Sequence, residues 1–265
     1  MKFSESEQRE LRAVAEEMAD AARGVTLRYF RSDALAVDNK EADGFDPVTV
    51  ADREAERAMR TVLAKRRPDD AIFGEEFGKS AGTSGLTWVL DPIDGTRAFI
   101  SGAPTWGVLI GLDAGQGPVL GIVDQPYIGE RFSGAFGEAD WQRGDARHEI
   151  KVRACLALEN ATLMTTFPEV GTEAERAAFN AVSSACKLTR YGLDCYAYAL
   201  LAMGQIDLVI EAGLNAYDVQ GPIGVLQGAG GIVTDWQGNP AHNGGQIIAA
   251  GDARVHDAAL AILNK

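Results

Sequence analysis

Residues 88–99 constrain this chain more than any other stretch. Trp88, Val89 and Leu90 form an apolar run of strand length, which ends abruptly in Asp91, Pro92, Ile93, Asp94 and Gly95. Such a run, bounded by turn residues, reads as a buried strand. Pro92 has no N–H, so regular strand pairing is expected to stop there. Asp91 and Asp94 then lie on a turn where both side chains converge on one point. Two carboxylates held that close repel each other unless a proton or a cation sits between them. Gly95 permits an unusual backbone angle, and Thr96 opens a helix through Ala98 to Ile100. Acids at a strand end beside a helix N-terminus suit a metal ion and a phosphate together. A bare pair of aspartates at this spacing also reads as a polar β-turn capped by Thr96.

Composition sharpens the choice. Asp plus Glu is 38 and Lys plus Arg is 25, a net charge of −13. That disfavours binding nucleic acid through phosphate neutralisation. A phosphate ligand would itself need bound cations to approach, and carboxylate-held metal supplies them. The 265 residues, 46% hydrophobic, suffice for one large domain or two subdomains. Cys155, Cys186 and Cys195 are an odd count without metal-type spacing, so a reduced, cytoplasmic setting with packing thiols is expected. The N-terminus lacks a signal-peptide core, and no apolar run approaches the roughly 20 residues of a membrane span.

Along the chain, Ser4 and Glu7 form a capping-box pattern before an amphipathic helix over roughly 4–30, with Leu11, Val14, Ala15, Met18, Ala22 and Val25 at helical spacing. Residues 32–47 read as a loop or short hairpin, 49–67 as a second helix, 71–73 as a short strand and 78–85 as a Gly- and Ser-rich linker. Residues 106–112, 119–123 and 130–136 read as antiparallel strands, with a hairpin tip at 137–140 and a return over 141–143. The second half alternates: strand 161–166, helices 172–186 and 195–203, strand 207–210, helix 219–227, strands 231–234 and 247–250, and a closing helix 253–263. That alternation predicts an α/β layer behind a first-half antiparallel sheet. Two subdomains, 1–145 and 146–265, should meet with the site in the cleft between them.

Other acids are ambiguous by themselves. Glu75, in Gly74-Glu75-Glu76, reads as a solvated acid on a turn. Asp218, after Tyr217 at a helix start, reads as an N-cap. Asp52, in Asp46-Pro47-Val48-Thr49-Val50-Ala51-Asp52, reads as an exposed acid in a first helical turn, where the dipole favours it. His148, His242 and His256 are scattered and match no zinc spacing.

The full string D-P-I-D-G-T over 91–96 is more specific than its parts. It resembles the signature of the inositol monophosphatase superfamily of Mg²⁺-dependent, lithium-sensitive phosphatases. The upstream G-E-E, the D-x-V-T-x-x-D ending at Asp52, and Asp218 with a downstream Ala229-Gly230-Gly231 match further motifs of that family. The resemblance implies a layered αβαβα sandwich. It implies two or three Mg²⁺ held by Glu75, Asp91, Asp94, Asp218 and the main-chain carbonyl of Ile93, all oxygen ligands as a hard cation requires. Asp52 would pair with Thr96 to orient the attacking water, with Glu75 also catalytic, and the N–H groups of Gly95 and Thr96 would hold the phosphate. Lys40 is a loose match to a basic residue that the family places before the Asp52 motif. The family is usually dimeric, so a homodimer is expected.

Two stretches, DPIDGTRAFISGAPTWGVLIGL over 91–112 and YGLDCYAYA over 191–199, look closest to the histidinol-phosphatase branch. Histidinol carries an ammonium and an imidazole where inositol carries only hydroxyls, so its pocket needs carboxylates away from the metals. Asp194 and Glu211 are the candidates, with Gly192 and Arg97 beside them. Inositol-selective relatives typically carry a small neutral residue where Asp194 falls, whereas Glu211 has a counterpart in both branches. Asp194 also reads as a plain N-cap, and Arg97 as a solvated helix residue. The expected substrate is L-histidinol phosphate, from which metal-activated water would release phosphate. The alternatives are inositol 1-phosphate, a broad set of small phosphomonoesters, or a non-catalytic metal- or ligand-binding relative. Trp88 and Trp106 are expected in the core.

Overall fold

The structure, a computed structural model, describes residues 2–33, 35, 37–39 and 47–265. Lys40 and Asp46 lie outside the described residues.

The fold is a layered αβαβα sandwich. Its strands are β1 (Val37–Asn39), β2 (Pro47–Thr49), β3 (Ala71–Gly74), β4 (Gly78–Ser80), β5 (Thr87–Asp94), β6 (Gly107–Asp113), β7 (Pro118–Gln125), β8 (Glu130–Ala135), β9 (Glu138–Arg143), β10 (Ala146–Glu149), β11 (Thr162–Thr165), β12 (Leu188–Tyr191), β13 (Leu208–Asn215), β14 (Ile232–Thr234) and β15 (Gly244–Ala250). Its helices are α1 (Glu5–Tyr29), α2 (Val50–Arg66), α3 (Thr96–Ile100), α4 (Glu173–Ala185), α5 (Tyr196–Ala202), α6 (Ala216–Gly228) and α7 (Ala253–Leu263). Strands β1 and β2 pair as a hairpin. The large sheet has eight strands in the order β10-β9-β8-β7-β6-β5-β3-β4, all antiparallel except for the parallel pair β3–β5. The second sheet has five strands in the order β12-β11-β13-β15-β14, with β11 parallel to both its neighbours.

Side-chain alternation along the strands sorts the core into layers. Val108 and Ile110 of β6 pack with Trp88 and Leu90 of β5 against Leu11, Val14 and Met18 of α1 and Met59 of α2. Leu109, pointing the other way, joins Val123 and Phe132 against Tyr198 of α5, Val219 and Leu226 of α6, and Val209 and Ile247 of the second sheet. On the far side, Leu208, Ile210 and Ile248 meet Phe179 and Val182 of α4 and Val255 and Ala259 of α7. Both faces of β6 and of the first half of β13 are therefore buried, which is why residues 108–112 and 208–210 read as nearly continuous apolar runs. Trp88 and Trp106 are fully buried. Among the described residues no helix is long and apolar enough to cross a membrane.

Several expectations are corrected. The linker over 78–85 contains β4, pairing with β3. The hairpin tip is Phe136-Gly137, both at positive φ, and β9 begins at Glu138. Strands β10 and β12 are additions that no sequence pattern predicts. β5 does not end at Pro92: its ladder with β6 pairs Asp91 with Leu109, shifts register, and pairs Asp94 with Gly107.

Candidate metal centre

The shifted register creates the site. Residues three apart on a regular strand point to opposite faces. Between the Asp91–Leu109 and Asp94–Gly107 pairs, β5 carries one more residue than β6, a bulge at Pro92-Ile93. Pro92 falls where no ladder N–H is needed, and the extra residue brings Asp91 and Asp94 to the same side. Asp91 Oδ1 accepts the Ile93 N–H at 3.0 Å, which fixes the turn. Gly95, at φ +80°, then turns the chain into α3.

Asp218 reaches the same point from α6. It is not the N-cap: Asn215 is, and Asp218 sits in the first turn, accepting the Asn215 N–H at 2.6 Å. Asp94 Oδ2 accepts the Cys195 N–H at 2.7 Å, tying β5 to the chain entering α5. Asp91, Asp94 and Asp218 present oxygens that all lie within 4.8 Å of one another. Burial first, then repulsion from neighbouring carboxylates, holds Asp91 and Asp94 well above the usual carboxylate range. Burial, with Glu75 and Glu211 nearby, pushes Asp218 up to about 7, against the opposing Asn215 hydrogen bond. Acids so crowded, with Asp91 buried and Asp94 and Asp218 half-buried, want either protons or a cation, and a donor set of oxygen alone fits a hard divalent ion.

Glu75 lines the same cavity, of about 310 Å³, and its charge acts on both Asp91 and Asp218. Ile93, Gly95, Thr96, Arg97, Asp194 and Glu211 also line it. The Thr96 hydroxyl donates to the Ile93 carbonyl at 3.1 Å, which leaves that oxygen a second lone pair. Cys195 borders the cavity, but burial and then Asp94 hold its thiol well above its ordinary value, so it stays neutral.

Two expected residues are placed differently. Asp52 does not pair with Thr96. Its Oδ2 accepts the Thr49 N–H at 2.8 Å and the Thr49 hydroxyl at 2.5 Å, closing a capping box as the third residue of α2, and it is absent from the cavity wall. It is buried rather than exposed, and burial, with help from Glu75 and Glu76, raises it to about 7. Gly192 is likewise absent from the wall; its N–H is held by the carbonyls of Thr165 and Thr166.

Asp194 is not a helix cap. It adopts φ +47°, and its carboxylate accepts the Thr105 hydroxyl at 3.0 Å. It packs so close to Gly95 that a Cβ there would lie 2.7 Å from the Asp194 Cγ. Glu211 accepts the Thr166 N–H at 3.0 Å, the Thr166 hydroxyl at 2.6 Å and the Tyr198 hydroxyl at 2.8 Å. The Arg97 guanidinium lies 5.1 Å from the centre of the Phe167 ring. Phe167, Glu169 and Tyr198 also line the cavity, and sequence reasoning misses all three. Phe167 and Glu169 lie on the loop after β11, where no local pattern marks them.

A family model described as the inositol monophosphatase family matches residues 7–265. A bifunctional phosphatase, IMPL2, of Arabidopsis thaliana is 40% identical over 97% of this chain and 76% of its own length. A histidinol-phosphatase of Streptomyces coelicolor is 33% identical over 95% of this chain and 96% of its own. The solved structure of an inositol monophosphatase from Zymomonas mobilis superposes with a TM-score of 0.84 at 38% identity, covering 99% of this chain and all (100%) of that one. With the acid cluster and the layered fold, these likenesses place the chain in a family of phosphatases: it belongs to the inositol monophosphatase family.

Proposed function

We propose that this protein is a Mg²⁺-dependent phosphomonoesterase that hydrolyses L-histidinol phosphate to L-histidinol and phosphate. The observation that carries the substrate choice is Asp194, a carboxylate in the cavity wall against Gly95. It gives a cationic substrate group a partner that inositol hydroxyls do not require. Asp194 lies against Gly95 and its charge acts on Asp94, so it stands beside the acid corner and not away from it as expected from the sequence.

Glu75, Asp91, Asp94, Asp218 and the Ile93 carbonyl would hold two or three Mg²⁺. Bound there, the ions would supply Lewis acidity and neutralise charge on the ester and the leaving oxygen. The chain's own groups do the rest. The N–H groups of Gly95 and Thr96, which a helix start leaves without intrahelical partners, hold the phosphate. The Thr96 hydroxyl, in the cavity wall, orients the attacking water. Asp52, engaged by Thr49, supports the α2 start from outside the wall. Arg97 and Glu211 shape the substrate end of the cavity. In this reading the first subdomain, expected over 1–145 and extended to Glu149 by the pairing of β10 with β9, supplies most metal ligands and Arg97, and the second supplies Asp218, Asp194 and Glu211. A cytoplasmic homodimer completes the proposal, on the family resemblance and the composition.

The likeness to the Zymomonas mobilis enzyme favours a second reading, hydrolysis of inositol 1-phosphate. Phosphate release from histidinol phosphate, inositol 1-phosphate, a nucleotide 3′-phosphate and fructose 1,6-bisphosphate, each with Mg²⁺ and with EDTA, separates the two. A kcat/KM for histidinol phosphate well above the others, abolished by EDTA, is expected. Comparable values for the first two substrates would remove the specific assignment. Silence on all four would point to a non-catalytic relative.

A further inference from the structure

Glu56 lies one turn after Asp52 on α2 and is fully buried, at 0% exposure. A buried carboxylate needs its lone pairs satisfied. Glu56 Oε2 accepts the Glu76 N–H at 2.7 Å, and Oε1 accepts the Phe77 N–H at 3.3 Å and the Arg60 Nε–H at 2.7 Å. Arg60 continues the clamp, donating to the Gly78 carbonyl at 2.6 Å and to the Ser80 hydroxyl at 2.9 Å. One helix thus grips the backbone of the turn between β3 and β4 from both ends.

Glu75 immediately precedes the gripped residues, which run from Glu76 to Ser80. Its own N–H donates to the Leu90 carbonyl at 3.1 Å, one residue before Asp91 on β5. The next N–H is held by Glu56. Gly74 explains itself in the same terms. A Cβ at Gly74 would lie 2.0 Å from Glu56 Oε1, so this glycine makes room for the carboxylate. The Glu76 side chain turns instead to Arg53, at 3.8 Å.

The geometry points to Glu56 as a positioning residue for Glu75, fixing the turn so that the Glu75 carboxylate meets the Asp91–Asp218 corner. This rests on the proposal that Glu75 is a cation ligand. Glu56 touches neither the ion nor the substrate; it acts only through the backbone it holds.

Calorimetric titration of Mg²⁺ into the metal-free full-length protein, well below the melting temperature of each variant, tests it. Wild type, Glu56→Gln, Glu75→Gln and the double variant are compared. Glu56→Gln is expected to raise the Mg²⁺ dissociation constant about tenfold or more, the usual effect of disturbing a group that orients a ligand. If Glu56 works through Glu75, the double variant should bind no more weakly than Glu75→Gln alone. A Glu56→Gln protein with a lowered Tm but unchanged Mg²⁺ affinity would overturn the inference, as would additive losses in the double variant. Unchanged affinity in Glu75→Gln would instead remove the assignment of Glu75. Should Glu56→Gln fail to fold, Arg60→Lys keeps a charge while loosening the clamp. It is expected to weaken Mg²⁺ binding in the same direction, and unaltered binding would count against the inference.

Discussion

Asp194 holds φ +47°, a left-handed conformation that asparagine, aspartate and glycine tolerate and most residues do not. Burial raises its pKa, and the Thr105 hydroxyl opposes that shift. A cationic substrate would tip the balance further toward the carboxylate. Asparagine keeps the shape and the backbone angle and loses only the charge. Asp194→Asn is therefore expected to lower kcat/KM for histidinol phosphate at least about tenfold, the scale of one charge-assisted hydrogen bond of roughly 1.5–3 kcal/mol. Whatever rate the wild type shows on inositol 1-phosphate should change by no more than about threefold. Equal losses on both substrates would assign Asp194 to holding Gly95 and the phosphate corner alone. At this scale Asp91 and Asp94 announce themselves through the strand-end D-P-I-D-G-T string, whereas Glu75 and Asp218 read alone as a solvated acid and an N-cap and are reached only through the family resemblance of their motifs. Phe167 and Glu169 are out of reach because their place in the cavity depends on where the β11 loop lands, a long-range fact. Asp52 reads as exposed because a first-turn acid usually is; Thr49 and the packing of α2 bury it.

Helix α6 carries Asp218, and its approach to the large sheet is closer than side chains allow. A Cβ at Gly121 of β7 would lie 2.0 Å from the Gly221 carbonyl oxygen, and one at Gly224 would lie 2.4 Å from the Gly121 nitrogen. Backbone meets backbone, so a methyl cannot be absorbed by a rotamer change. Gly121→Ala is expected to cost about 1–3 kcal/mol, the range for overpacking, and to weaken Mg²⁺ binding as Asp218 shifts with its helix. Gly24→Ala is the contrast. Gly24 is exposed towards the C-terminal half of α1, and a methyl added there would meet nothing within 4 Å. Alanine at this position should add about 0.5–1 kcal/mol and leave Mg²⁺ affinity alone. Thermal melts and Mg²⁺ titrations on the two variants check both halves. The long helices and buried strands are legible because their apolar period runs over many residues. β10 and β12 are not: all four residues of β10 are exposed, and β12 is an edge strand with three of four exposed, so neither shows an alternating apolar face. The continuation of β5 past Pro92 is hidden because a proline usually ends pairing, and here a bulge absorbs it.

The whole molecule holds its layers together around a knot of acids, and that arrangement works against stability when no cation is bound. Asp91, Asp94 and Asp218 all have folded pKa values above those of the unfolded chain, with Asp218 at about 7 against an ordinary value of 3.8. In the folded state they bind protons that the unfolded chain has already released, so stability falls as pH rises through this window. The Asp218 contribution is fully present below about pH 4 and lost as pH passes about 7, and Asp91 and Asp94 act in the same direction. Asp70, held low by Arg67 and its hydrogen bonds, and Asp252, held low chiefly by Arg254, act in the opposite sense and weaken the fold only in stronger acid. EDTA-treated protein should therefore melt several degrees lower at pH 8 than at pH 5. On the proposed assignment Mg²⁺ would bind the deprotonated acids in competition with protons, so the rise in Tm on adding it should be larger at pH 8. The net charge of −13 also repels itself more at high pH, and Asp218→Asn separates the two causes. Removing one buried acid barely changes the net charge, yet it should raise the Tm of the EDTA-treated protein at pH 8 and flatten its pH profile while Mg²⁺ binding is lost. Calorimetry at the two pH values, with and without Mg²⁺, reads all of these. A wild-type profile that Asp218→Asn leaves unaltered would place the pH dependence on the surface rather than at the metal corner.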